Sequence, residues 1–141
     1  MSATVLMLML MVMQSHAKEH VVLEPEDRQI TLTGRISLVH GYGPPGWGED
    51  PKHDAHIIYW VIDLPNAINT PCTPERPEWK AVDCASTKRL RLIVEGDAGL
   101  LAEAKASQSR MATVNGFLHR ADTAGEITPI YMDVKEIKSL P

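Results

Sequence analysis

Five stretches of the chain alternate apolar and polar residues, or run apolar, with the period of two that a β-strand imposes. In QITLTGRISLV, Ile30, Leu32, Ile36 and Leu38 fall on one face with Gly34 among them, while Thr31, Thr33, Arg35 and Ser37 fall on the other. That pattern predicts a half-buried strand with a glycine where it must bend. HIIYWVIDL is apolar on both faces, with Ile58, Trp60, Ile62 and Leu64 on one and Ile57, Tyr59 and Val61 on the other until Asp63, so it is expected to be central. KRLRLIVEG alternates with Leu90, Leu92 and Val94 inward and Arg89 and Arg91 outward. RMATVNGFLHRA and EITPIYMDVKEI read as two more strands joined by the turn-rich DTAGE, the last with Ile130, Met132 and Val134 on one face.

One helix is signalled, in DAGLLAEAKASQS, where Asp97 can cap the start and Leu100, Leu101 and Ala104 form the apolar stripe. The order is three strands, a short helix and two strands. With a bent first strand and the helix between the third and fourth, this is the layout of an all-β, five-stranded OB-like Greek-key barrel. A β-sandwich usually needs about seven strands and gives no particular place to a single helix.

Two connections are long. PNAINTPCTPERPEWKAVDCASTK, between the second and third strands, is proline-rich and holds both cysteines, so it is expected to be a loop, because proline cannot donate to a sheet ladder. GYGPPGWGED, after the first strand, mixes glycines that permit φ > 0 with prolines that fix φ, and so predicts a compact, stiff projection. Such a projection could hold Tyr42 and Trp47 out as rigid aromatics, which binding surfaces favour, or fold Trp47 back over one end of the barrel.

The amino-terminal end changes the picture of compartment. Positions 4 to 13 are an apolar run too short to span a bilayer as a helix, and Ser15-His16-Ala17 places small residues where a signal peptidase reads. Residues 1–17 are therefore expected to be a secretory signal peptide, although no Lys or Arg precedes the apolar run. Residues 18–27 would form an N-terminal extension and 28–141 the OB-like domain, placed in the periplasm or secreted, with no transmembrane segment in the mature chain. Cys72 and Cys84 are the only cysteines, and in an exported chain one even pair reads most simply as a disulfide, worth about 3 kcal/mol by chain entropy. Their spacing fits neither a CxxC redox pair nor a zinc knuckle.

Charge and aromatic content narrow the partners. The net charge is −4 at pH 7 and the chain holds one Phe, so both the cationic groove and the stacking platform of a nucleic-acid binder are thin, and no nucleic acid is expected as a partner. Candidate chemistry is sparse. His40, His53 and His56 lie close in sequence with Asp50 and Asp54, and imidazole with carboxylate suits zinc, copper or nickel, yet no HExxH or HxH pattern appears. There is no GxSxG, and Glu49, Asp50, Asp54 and Asp63 have no spacing that would pair them across a sugar ring. No enzyme activity and no cofactor are expected.

The stretches LTGRISLVHGYGPPGWGEDP, YWVIDLP, the two-cysteine insert and VNGFLHRADTAGEITPIYMDVKEI together resemble a family of small exported bacterial domains of unknown function, over roughly residues 28 to 138. That family often carries histidines after ADT. Gly125 and Glu126 stand here instead, so a metal or catalytic role resting on such histidines does not carry over. The resulting expectation is an exported, non-catalytic binding module whose ligand is a protein or glycan of the bacterial envelope, or a toxin that it neutralises. Tyr42, Trp47, Arg89 and Arg91 are its candidate ligand-binding residues. The alternative is a small envelope metalloprotein or hydrolase using His40, His53, His56 and the nearby carboxylates.

Overall fold

A computed structural model describes residues 29–69, 86–121 and 126–141. Strands β1 (Gln29–Tyr42), β2 (His56–Asn69), β3 (Ser86–Ile93), β4 (Met111–Arg120) and β5 (Ile130–Ser139) form a closed barrel in the order β1-β2-β3-β5-β4, with helix α1 (Ala98–Ala106) between β3 and β4. Every neighbouring pair is antiparallel except β3 with β5, whose parallel register, Arg91 opposite Tyr131 and Leu92 opposite Met132, closes the ring. This is the OB-like Greek-key barrel that the strand order predicts. The signal segment and the pair Cys72 and Cys84 lie outside the described residues.

Period-two alternation fills the barrel as expected. Ile36, Ile62, Leu90, Leu92, Val114 and Met132 are fully buried in one apolar cluster. The Asp97 side chain accepts hydrogen bonds from the backbone N–H groups of Gly99 and Leu100 and so starts α1. Ala104 then enters the core, and Leu100 and Leu101 pack against its margin. No helix among the described residues is long and apolar enough to cross a membrane.

β1 serves two partners in succession. From Gln29 to Arg35 it pairs with β4, and from Arg35 to Tyr42 with β2. The change requires a sharp approach at Gly34, where a Cβ would lie 2.5 Å from the Asp63 carbonyl oxygen and 2.7 Å from Ile62 Cγ1. On β4, which is paired on both sides at that point, a Cβ at Gly116 would likewise collide with the Asp133 carbonyl beside the bulge at Lys135.

Two features depart from the reading of the sequence. β2 does not end at Pro65 but continues to Asn69, because its pairing with β3 is interrupted between Asp63 and Ile68 and the missing proline N–H falls inside that gap. Leu38 and Ile58 carry the inward parity yet are 38% and 61% exposed, because the β1–β2 ribbon runs past the end of the barrel.

Gly34→Ala is expected to cost about 2 kcal/mol, the usual penalty for forcing atoms into a packed site. Urea unfolding measures it, and a loss below about 0.5 kcal/mol would show that the β1 bend does not depend on the missing side chain.

Candidate functional site

The overhanging ribbon is built by plain strand register. Leu38 faces Trp60, His40 faces Ile58 and Tyr42 faces His56, and all share the face that lines the core further down at Ile36 and Ile62. Burial declines along that face. Trp60 is still buried, Leu38 and Ile58 are open, and at the far end His40, His56 and Tyr42 gather. His56 Nδ1 and His40 Nε2 are 3.0 Å apart, with ring centroids separated by 4.9 Å. The Tyr42 ring sits 5.5 Å from His40, edge-on, and 5.3 Å from His56. Histidines sixteen positions apart in sequence thus become diagonal neighbours across two strands.

The connection of residues 43–55 closes the ribbon around one carboxylate. Asp54, only 4% exposed, accepts hydrogen bonds from the backbone N–H of Gly46 at 2.6 Å, Gly48 at 2.7 Å and Asp50 at 3.2 Å. Gly43 N–H donates to the Ala55 carbonyl and Ala55 N–H to the Pro44 carbonyl, so the ladder continues beyond the strands. A Cβ at Gly46 would lie 2.8 Å from Asp54 Oδ1, which makes glycine the residue that lets the chain wrap its anion. Trp47 adopts φ 53° and Gly48 φ 101°, the left-handed turn that folds Gly48 against the Tyr42 ring and leaves Trp47 51% exposed.

Burial alone would raise the pKa of the Asp54 carboxyl, but the amides of Gly48, Gly46 and Asp50, with the nearby His53, outweigh it and hold it below the ordinary aspartate value. His53 itself contacts Asp50 at 2.6 Å on an exposed part of the loop. The structure therefore brings two of the three loop histidines together and keeps the third apart.

The opposite face of the ribbon is covered. Tyr59 and Val61 are buried there, although they point away from the barrel interior. The Tyr59 ring lies over Gly41, where a Cβ would be 2.6 Å from Tyr59 Cε2 and 3.5 Å from Ile127. Arg91 places its guanidinium 4.7 Å above that ring and donates from one nitrogen to both carboxylate oxygens of Glu126, at 3.1 and 3.0 Å. Its backbone N–H donates to Thr128 Oγ1, which in turn donates to the Ile130 carbonyl. Nearby, Arg89 Nε donates to Asp63 Oδ1 at 2.5 Å and Ser37 Oγ donates to Asp63 Oδ2 at 2.8 Å. The Arg89 contact, partly opposed by burial and aided by Ser37, holds the Asp63 carboxyl below its usual value.

Residues 126–128 thus lie across the β2–β3 surface, with Arg89 and Arg91 turned onto carboxylates of their own chain. Tyr42 and Trp47 belong instead to the far end of the ribbon. Asp50, Asp54 and Asp63 are each held in separate contacts rather than facing one another. No group of three or more His, Cys, Asp or Glu side chains arranged for a metal exists among the described residues. The sequence offered no signal for the Asp54 clamp beyond an aspartate close behind a glycine-rich run, and none for the contact of Arg91 with Tyr59 and Glu126. Comparisons with family models, curated proteins and solved structures gave no match to this chain.

Asp54 binds its proton less readily in the folded than in the unfolded chain, where the value is about 3.9. Its contribution to stability is therefore present above that value and lost as pH falls through the lower folded one. In urea unfolding, the advantage of the native chain over Asp54→Asn should stay constant from about pH 7 to 5 and shrink below about pH 4. An advantage undiminished at about pH 2.5 would contradict the clamp.

Proposed function

We propose that this protein is an exported, non-catalytic binding module that uses the overhanging β1–β2 ribbon to hold a protein of the bacterial envelope. The observation that carries the proposal is the open inner face of that ribbon. There, aliphatic Leu38 and Ile58 stand exposed beside His40, Tyr42 and His56, and Trp47 projects from a loop braced by Asp54. A rigid surface loses little entropy on binding, and apolar area surrounded by polar rings suits a protein contact.

The choice of protein over glycan rests on the same face. Trp47 offers one open ring, but Tyr42 is half-buried against His40, His56 and Gly48, and the rest of the open area is aliphatic. Exposed aliphatic side chains match apolar side chains of a partner. The edge of β1 adds a second element. Ile36 bonds Arg110 and Ser109 through its backbone, and by strand alternation Leu38 and His40 direct theirs the same way, where no strand pairs with them among the described residues. An extended segment of a partner can add to such an edge.

The apolar run within residues 1–17, read as a signal peptide, supports export, and one disulfide between Cys72 and Cys84 would brace the connection between β2 and β3. The resemblance to exported bacterial domains of unknown function is in keeping with a place in the envelope, where the partner would be an envelope protein or a secreted toxin.

A photocrosslinking amino acid at Ile58 or Trp47 is expected to capture the same discrete protein from an envelope extract, while one at Lys105 on α1 does not. Ile58→Asp should lower the capture through position 47 at least tenfold, a loss of about 1.4 kcal/mol or more. Capture of nothing, equal capture from Lys105, or indifference to Ile58→Asp would overturn the proposal.

A further inference from the structure

We infer that His40 and His56 form a two-imidazole site for a divalent transition metal of tetragonal preference, copper(II) above all. The inference stands apart from the protein-binding reading, because it rests on the nitrogen geometry rather than on the apolar face. His56 Nδ1 and His40 Nε2 are 3.0 Å apart. Imidazole nitrogens bound to one ion at about 2.0–2.1 Å are about 2.9 Å apart at a right angle and about 3.3 Å apart at the tetrahedral angle. The observed separation matches the right angle, which belongs to the square or tetragonal sites of copper(II) and nickel(II) rather than to structural zinc.

The rings are tilted by 40° to one another, which leaves room for an ion beside the line that joins the two nitrogens. A head-on approach of the two nitrogens at 3.0 Å would set the centroids further apart than the 4.9 Å observed, so the nitrogens are not aimed straight at one another. Both side chains are exposed, and their strands are fixed in register by the pairing of His40 with Ile58 and of Tyr42 with His56. The same separation lets one imidazole donate its N–H to the other when no ion is bound, and the ion needs only that hydrogen to move to the far nitrogen of its ring. Among the described residues neither ring has a second polar partner. Two side chains satisfy half of a square site, and water takes the rest.

His53 is the internal control, because it contacts Asp50 rather than the pair. In a two-dimensional amide NMR titration, substoichiometric copper(II) should broaden the signals of residues near 40 and 56 first. His40→Ala and His56→Ala should each remove that local broadening and weaken copper(II) binding at this site at least tenfold, while His53→Ala leaves both unchanged. Zinc(II) should compete at least tenfold less well than copper(II). Broadening centred on another part of the chain, broadening that survives either substitution, or zinc(II) competing as well as copper(II) would overturn the assignment. Near-native amide spectra of the metal-free variants separate loss of the site from loss of the fold.

Discussion

One strand has two sheets' worth of partners to satisfy, and the architecture follows from how β1 does so. Its first half closes the barrel against β4 and its second half pairs with β2, with Arg35 in register with both Met111 and Asp63. The change of partner demands that β1 and β2 pass within reach of a side-chain atom at Gly34, a place only glycine can occupy without displacing the Asp63 carbonyl. Because β1 has left β4 behind by Ser37, the ribbon it makes with β2 continues beyond the barrel's core. An inward-facing stripe that starts at Ile36 and Ile62 therefore finishes in the open at Ile58 and His40.

A ribbon that outgrows its barrel would ordinarily fray, since a two-stranded element alone is marginal in water. Two contacts oppose that here. At the tip, the Asp54 carboxylate gathers three backbone amides and turns a glycine- and proline-rich segment into a single closed unit. On the outer face, Tyr59 lies between Gly41 and the Arg91 guanidinium, and Glu126 fixes Arg91 in turn. One face of the ribbon is thus covered in part by residues 126–128 and the other is presented. The surface proposed for a partner and the imidazole pair proposed for a metal both lie on the presented face.

Much of the barrel was legible because its cause is local. Alternation at Leu90, Leu92 and Val94 and at Ile130, Met132 and Val134 reports which side of each strand meets the core, and Asp97 marks the helix start by its own hydrogen bonding. Apolar residues on both faces of β2 announced burial on both, and Tyr59 and Val61 are buried on the outside of the barrel. What alternation cannot report is where a strand stops having a barrel beside it, so Leu38 and Ile58 read as core and stand exposed. Nor does spacing along the chain reveal diagonal neighbours across strands. His53 and His56 are closer in sequence, yet His40 and His56 meet, because register rather than proximity sets which side chains touch. The two arginines of β3 looked outward, as they are, but their carboxylate partners come from Asp63 and Glu126, which only the closed fold brings near.

The ribbon and its tip act as one rigid body with the barrel, so that the exposed face is presented ready-made. Backbone ¹⁵N relaxation over residues 36–62 tests it most directly. Order parameters through residues 43–55 are expected near the barrel's own, about 0.85, with Gly46 and Gly48 no lower than Ile36 or Ile62. Values below about 0.6 across the tip would show a flexible loop and contradict it.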